Sequence, residues 1–174
     1  RSVSGSQDRL LRECEGFCKS AGAEKIYVSG EGKLSSLPVH ARLVERSLEK
    51  NRLPETTAKA ELTTDPEWVR RYNERFRQVP TAKTYIKTPE NACFIYDKGE
   101  CIGLGQIIGE ELAAVAGFKK GCGQDCVCAM AERITQPVIK LLCAEENLPA
   151  TRLYDRMGFS RDHVKRIWYR LQYG

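Results

Sequence analysis

The chain has 174 residues and a mass of 19.7 kDa; 41% of its residues are apolar, 8% aromatic and 29% charged. This length suits one domain with a short appendage, and the apolar fraction is enough to bury an ordinary core, which excludes an intrinsically disordered chain. The formal net charge is +5, and no apolar run approaches the ~20 residues that a membrane span needs.

The first 56 residues are predicted to form an α/β extension. Ser6 can cap a helix that Gly22 ends. Residues 25–29 (KIYVS) predict a strand, and apolar residues at helical spacing predict a second helix over 38–50. The polar residues 51–57 predict a linker. The apolar face of the first helix would comprise Leu10, Leu11, Cys14, Phe17, Cys18 and Ala21.

The extension also contains a short echo of the C-terminal part of the chain. Residues 37–46 (LPVHARLVER) resemble residues 148–156 (LPATRLYDR), and each segment follows a β-rich run. The echo raises two alternatives: a chance match, or an extension that is a degenerate half of the main fold.

The main domain, residues 57–174, begins with a strand over 57–62 and a helix that Thr64 opens with a capping box. Three strands follow, over residues 92–96, 101–108 and 112–116. Because turns of two to four residues join them, they predict an antiparallel meander.

After the meander the order changes to alternating loops, helices and strands. A glycine loop over 119–123 (KKGCG) leads into a helix over 124–134 and an apolar strand over 138–143 (VIKLLC). A helix over 149–157 and a strand over 165–172 complete the chain. This succession predicts a mixed α/β fold.

The glycine loop lies between a strand and a helix, where exposed backbone N–H groups and the helix dipole suit a phosphate or pyrophosphate. Lys119 and Lys120 add positive charge beside it. The loop lacks the Gly-Lys-Ser/Thr of a Walker loop and the GxGxxG spacing. The alternative is a glycine turn that serves only to reverse the chain.

A second motif follows the apolar strand and reads VIKLLCAEENLPATRLYDRMGF over residues 138–159. Its order of strand, Asn, Ala, Leu-Tyr and Gly-Phe resembles the GNAT superfamily of acyl-CoA N-acyltransferases. The glycine loop is similar to the pyrophosphate loop of that family, Gln/Arg-x-x-Gly-x-Gly/Ala, here FKKGCG. Phe118 stands at the Gln/Arg position, or Lys119 if the motif shifts by one residue. The resemblance covers roughly residues 60–173.

The resemblance implies a GNAT-type fold, with a mostly antiparallel central sheet flanked by helices. It implies direct transfer of acetyl from acetyl-CoA to a primary amine, in a small molecule or a peptide, without a covalent enzyme intermediate. The acceptor site would be built from residues 68–76 and Tyr85. A homodimer is compatible with the resemblance.

The resemblance also assigns residues to the cofactor. The strand over 112–116 would splay from the strand over 138–143, and the pantetheine arm would enter the gap and bond its unpaired backbone groups. The implied cofactor-binding residues are Ala114, Val115, Ala116, Lys119, Lys120, Gly121, Cys122, Gly123, Gln124, Asn147, Ala150 and Tyr154.

Two steps of the implied reaction need proton transfer. Tyr154 would be the general acid that protonates the departing thiolate, and its alternative role is that of a packing tyrosine. Glu110 and Glu111 are candidate bases for the amine, and their alternative is an ordinary charged turn.

The eight cysteines have no CxxC pair and only two histidines accompany them, so no metal site is predicted. Residues 1–7 lack the apolar segment of a secretory signal, so we expect a cytoplasmic protein with reduced thiols. Cys122 is the cysteine whose position at a helix N-terminus could make it reactive.

Two functions of other classes remain as alternatives. One is a non-catalytic CoA-binding or regulatory module that keeps the fold, which Phe118 would favour. The other is a nucleic-acid-binding domain, because residues 151–174 hold six basic residues and two acidic ones. No recognised nucleic-acid motif is present, so we expect neither a nucleic-acid nor a membrane partner.

Overall fold

The structure is a computed structural model, which divides into two compact units: Val44–His163, and Arg1–Leu43 together with Val164–Gly174. The residues that it describes are 4–30, 34, 37–62, 65–76 and 92–171. The helices and strands, in chain order, are α1 (Ser4–Ser20), β1 (Tyr27–Gly30), β2 (Val39–Glu49), β3 (Lys59–Leu62), α2 (Pro66–Phe76), β4 (Ala92–Asp97), β5 (Glu100–Ile108), β6 (Glu111–Gly117), α3 (Gly123–Ala131), β7 (Val138–Ala144), α4 (Leu148–Met157) and β8 (Val164–Arg170), with a 3₁₀ turn over Lys50–Arg52.

Most of the predicted elements are confirmed, with ends that differ by a few residues. The predicted helix over 38–50 is wrong, because these residues form β2. Val44, Arg46 and Leu48 all point inward, which is the alternation of a strand. Arg46 occupies an inward position that in a strand is normally apolar. The two-residue alternation typical of a strand is therefore not visible in the sequence. The echo of residues 148–156 in 37–46 therefore does not extend to structure.

In the unit of Val44–His163 the strands follow the order β2-β7-β6-β5-β4-β3. The pairs β3–β4, β4–β5 and β5–β6 are antiparallel, and β6–β7 is parallel. The meander is therefore confirmed, and so is the mostly antiparallel sheet. The predicted domain boundary near residue 57 stays a prediction.

Helices cover both faces of this sheet. On one face, Val69 of α2 packs with the buried Phe94, Leu104 and Ala114. On the other face, the larger core cluster contains the buried side of α3, from Cys126 to Ala131, and much of α4. None of the helices in the described ranges is long and apolar enough to cross a membrane. The predicted N-cap Thr64 of α2 lies outside the described residues.

The other unit contains α1, β1, the start of β2, and β8. Strands β1 and β8 pair antiparallel, and Tyr169 lies at the centre of a small core. The predicted apolar face of α1 is wrong in part, since Leu10 and Phe17 are 59% and 75% exposed. The packed face instead carries Leu11 and a buried Glu15, whose carboxylate pairs with the Lys19 ammonium at 2.7 Å.

Two glycines of β5 let α3 lie unusually close to the sheet. A Cβ on Gly103 would lie 2.5 Å from the Cys126 Sγ and 2.6 Å from the backbone oxygen of Ala116. A Cβ on Gly105 would lie 2.7 Å from the Cγ and Sδ atoms of Met130. A Cβ on Gly103 would thus clash with backbone, whereas a Cβ on Gly105 would clash with a flexible side chain.

We expect Gly103→Ala to lower the free energy of unfolding by roughly 1–3 kcal/mol, because overpacked backbone cannot give way. Gly105→Ala is the matched control and should cost less, since the thioether of Met130 can move to another rotamer. Urea unfolding of the two variants beside the wild type measures both. Equal losses, or a larger loss for Gly105→Ala, would contradict this packing account.

Candidate functional site

The parallel pair β6–β7 opens soon after it starts. Its register comprises only Glu111 with Lys140 and Leu112 with Leu141, although β6 continues to Gly117 and β7 to Ala144. Both strands are fully described, and their remaining residues have no register partner in the other strand. Backbone N–H and C=O groups along such a gap need partners from elsewhere. The gap is therefore suited to an elongated ligand that carries amide groups.

The glycine loop connects the open end of β6 to α3. Gly121 has a φ of +97°, in the left-handed region that favours glycine. Cys122 is the N-cap of α3, and its side chain makes no capping bond to the helix. The first N–H groups of a helix have no intrahelical acceptors, so those of Gly123 and Gln124 are directed at whatever lies before the helix. This arrangement suits an anion.

The side chains around the loop add little net charge. Lys119 forms a salt bridge with Glu100. Lys120 is exposed and makes no ion pair with a described residue. Asp125, in the first turn of α3, accepts a hydrogen bond from the Thr56 hydroxyl at 2.9 Å. The loop therefore offers an anion its backbone N–H groups and one uncommitted cation.

Phe118 starts the loop as a packing residue. Its backbone N–H donates to the Ile102 carbonyl at 2.7 Å, and its ring packs against the cluster around Phe94 and Leu104. The position where the resemblance has Gln or Arg is thus turned to the core. Lys119, which stands at the Gln/Arg position if the motif shifts by one residue, forms its salt bridge with Glu100.

The motif at residues 147–159 follows the requirements of helix α4. Asn147 is its N-cap, and the Asn147 side-chain oxygen accepts from the Ala150 backbone N–H at 3.4 Å. Pro149 lies in the first turn, where proline is tolerated. Gly158 ends the helix with a φ of +83°. Part of the pattern that resembles GNAT proteins therefore specifies helix ends, with the Asn147 side-chain oxygen used for the cap.

Tyr154 lies in the main core and is only 7% exposed. Its ring meets that of Phe159 edge-on, with centroids 5.4 Å apart, and the Arg46 guanidinium carbon lies 6.0 Å from its centroid. The next residue toward the loop, Leu153, comes close to the start of α3: a Cβ on Gly123 would lie 3.0 Å from its Cδ2. The structure therefore brings the glycine loop next to the helix of Tyr154.

The two candidate bases lie at the opposite end of β6 from the loop. Six residues at ~3.3 Å each separate Glu111 from Gly117, which makes about 20 Å. The Glu110 carboxylate accepts from the Thr135 N–H at 3.2 Å and from the Thr135 hydroxyl at 3.1 Å. Glu111 is half-buried at the point where β6 and β7 are still paired. Glu110 is thus committed to a turn, whereas Glu111 starts the strand that borders the gap.

The side chains of β6 alternate between the two faces of the sheet. Ala114 and Ala116 face the α2 side, and Val115 packs on the α3 and α4 side. Ala150 packs on the same side as Val115. The side chains of Trp68, Tyr72 and Phe76, and the whole of Tyr85, lie outside the described residues, so the predicted acceptor site has no structural account.

Sequence reasoning missed an ion pair beside α4 in which the arginine is buried and the aspartate is exposed. The Arg46 side chain is 3% exposed, and its Nη1 donates to the Asp155 carboxylate at 2.8 Å. Arg161 binds the same carboxylate at 3.1 Å. These hydrogen bonds hold the pKa of Asp155 below its usual range. The pair borders a cavity of about 170 Å³ lined by Val44, Arg46, Cys143, Glu145, Leu148, Thr151 and Arg161.

All eight cysteines are free thiols. Burial raises the pKa of Cys128 to about 11 and also raises the pKa values of Cys126 and Cys143. Within the described ranges, no group of three or more His, Cys, Asp or Glu side chains could hold a metal ion.

Neither a protein-family model nor a curated protein matches this sequence. Solved structures do: a functionally unknown conserved protein from Staphylococcus epidermidis superposes with a TM-score of 0.65 at 8% identity, covering 98% of this chain and 81% of that one. A GCN5-related N-acetyltransferase from Kribbella flavida superposes with a TM-score of 0.56 at 16% identity, covering 95% of this chain and 76% of that one. Another GCN5-related N-acetyltransferase, from Sphaerobacter thermophilus, superposes with a TM-score of 0.52 at 14% identity, covering 97% of this chain and 68% of that one. The chain thus has the mixed α/β fold of GNAT proteins, as predicted.

We expect Asp155→Asn to lower the midpoint of thermal unfolding at pH 7, because the variant leaves the buried Arg46 charge without its anion. The folded-state pKa of Asp155 is lowered, so its stabilisation is complete above the ordinary pKa of about 4 and is lost as the pH falls through the lowered value. The difference between variant and wild type should therefore shrink under acid conditions. Glu145→Gln, at the exposed edge of the same cavity, is the control. A difference independent of pH would disprove the electrostatic account.

Proposed function

We propose that residues 57–174 form an N-acetyltransferase domain that binds acetyl-CoA and acetylates a primary amine. One observation carries the proposal: β6 and β7 part after Leu112 and Leu141, and β6 then runs directly into a glycine loop at the N-terminus of α3. An amide-bearing arm that ends in a pyrophosphate matches this combination of an open strand edge and a helix N-terminus.

The described residues fit the phosphate end of such a ligand. The N–H groups of Gly121, Cys122, Gly123 and Gln124 would hold the pyrophosphate, and Lys120 would add a positive charge. Salt-bridged Lys119 and core-packed Phe118 contribute less than a free Gln or Arg would. Binding would therefore depend mainly on the backbone of the loop.

The bound cofactor supplies an acetyl group activated as a thioester. Tyr154 would give its phenolic proton to the leaving thiolate; with ordinary pKa values of about 10 and about 8.5 this transfer is uphill, so positioning must favour it. Glu111 would accept the proton of the attacking amine, directly or through water, and Glu110 would be the less suitable base because Thr135 holds its carboxylate. The acceptor is a small amine or a peptide, and the cellular compartment that we propose is the cytoplasm.

The burial of Tyr154 favours a second candidate, a non-catalytic CoA-binding or regulatory module. A tyrosine that is 7% exposed and packed edge-on against Phe159 has a sufficient packing role without any catalysis. In that case the domain would bind acetyl-CoA and acetylate nothing.

Two glycines of similar geometry test the loop. Gly121 and Gly99 both have positive φ values, +97° and +81°, and open space where a Cβ would stand. Alanine at either position should cost about 1–2 kcal/mol of stability, because the left-handed conformation penalises a Cβ. By isothermal calorimetry, we expect Gly121→Ala to weaken acetyl-CoA binding at least tenfold and Gly99→Ala to leave it unchanged. Absence of heat with the wild type would refute the proposal, and an equal loss in both variants would refute the role of the loop.

Tyr154→Phe tests the proton donor. We expect a fall of about 100-fold in kcat for thiol release on a panel of amines, with little change in the affinity for acetyl-CoA. Tyr169→Phe, which removes the hydroxyl of another buried tyrosine, is the control. Unchanged turnover and an unchanged pH profile in Tyr154→Phe would exclude the general acid. Acetyl-CoA binding without release on any amine would favour the module.

A further inference from the structure

Two glycines that face each other across β5 and β6 form a notch beneath the glycine loop. Gly103 and Gly117 are direct register partners. A Cβ on Gly103 would lie 2.5 Å from the Cys126 Sγ, and a Cβ on Gly117 would lie 2.5 Å from the Cys122 Sγ. The missing side chains of one cross-strand pair thus make room for two thiols side by side.

The two thiols share their surroundings. The Cys122 Sγ lies 3.3 Å from the Ile102 carbonyl oxygen, and the Cys126 Sγ lies 3.8 Å from the same oxygen. The same carbonyl oxygen is thus a neighbour of both sulfur atoms. They are separated by one helical turn, since the Cys126 N–H donates to the Cys122 carbonyl at 3.0 Å.

The two cysteines differ in access. Cys122 is partly exposed in the loop, whereas Cys126 is completely buried. Burial raises the pKa of the Cys126 thiol, so it is the poorer nucleophile toward a solvent oxidant. A small oxidant would therefore react with Cys122 first, and Cys126 is the buried thiol that lies next to it along the helix.

We propose that Cys122 and Cys126 are a reversible oxidation site, at which hydrogen peroxide closes an intramolecular disulfide. Cys122 attacks one peroxide oxygen, the O–O bond breaks, and the products are a sulfenic acid and one water. The Cys126 sulfur then attacks the Cys122 sulfur, the S–O bond breaks, and a second water leaves. The two thiols lose two electrons and two protons in total, and a dithiol reductant reverses the change.

Closing the disulfide would disturb the loop. The single S–H of Cys122 has two carbonyl acceptors within reach, Lys119 at 2.9 Å and Ile102 at 3.3 Å, and oxidation removes that donor. Residues one helical turn apart have Cβ atoms about 5–6 Å apart, whereas a disulfide requires about 3.5–4.5 Å. The first turn of α3 must therefore shift. Given the proposed function, that shift would weaken acetyl-CoA binding, because the same turn supplies the N–H groups.

The covalent step can be tested without any ligand. The reduced protein is treated with hydrogen peroxide, quenched, alkylated under denaturing conditions and digested with trypsin, which gives the peptide 121–133 with Cys122, Cys126 and Cys128. A second cut before Asp125 separates Cys122 from the other two cysteines. We expect the two pieces to stay joined until a reductant is added, with a single alkylated cysteine. Separate pieces would overturn the proposal.

Variants and binding complete the test. Cys128→Ser should keep the linkage, and Cys126→Ser should lose it; the reverse result would overturn the assignment. If Cys126→Ser does not fold, Cys126→Ala replaces it. Calorimetry with acetyl-CoA should show at least tenfold weaker binding after oxidation, restored by the reductant, and equal affinities would refute the link to the loop. If the reduced protein binds no acetyl-CoA, the proposed function fails, while the peptide mapping still decides the oxidation site.

Discussion

The close approach of α3 to the sheet is the constraint on which the rest of the candidate site depends. Gly103 and Gly105 of β5 and Gly117 of β6 leave space that Cys126, Met130 and Cys122 fill. Because the helix lies that deep, its N-terminus comes directly after the open end of β6 and beside Leu153 of α4. The glycines thus act at a distance from any ligand: they set where the first backbone N–H groups of α3 are directed. Packing, rather than a charged side chain, would build the anion-binding geometry that we propose.

The electrostatics of the loop agree with this dependence on backbone. Lys119 is neutralised by Glu100, Phe118 faces the core, and Asp125 stabilises the helix dipole that an incoming anion would also use. Lys120 is the basic side chain of the loop that is left uncommitted. An anion held mainly by N–H groups is recognised by the direction of those groups, so loop conformation decides affinity. If the loop binds an anion as proposed, a small displacement of the first helical turn would change the affinity more than in a site lined by arginines.

The sequence alone was enough to predict the meander, the glycine loop, α3, β7, α4 and the fold they make, since each has a local signal of period, turn or cap. It was not enough for β2, because Arg46 at an inward position broke the alternation. The carboxylate of Asp155, more than 100 residues away, stabilises the guanidinium at that position. Periodicity also could not choose the packed stripe of α1, where a buried Glu15 is preferred to Leu10. Tyr154 also contacts Arg46, more than 100 residues earlier in the chain, and no local pattern encodes that contact.

The place of β2 in the sheet has a consequence for how the protein folds. Its backbone and side chains bond residues far along the chain: Glu45 with His163 and Asp162, and Ser47 with Ser160. Contacts of such high sequence separation carry a large loop-closure entropy and slow the search for the native state. On the ribosome, Val44 to Glu49 leave the exit tunnel long before their partners are synthesised. This segment must therefore remain without these native neighbours until residues 160–163 have been synthesised.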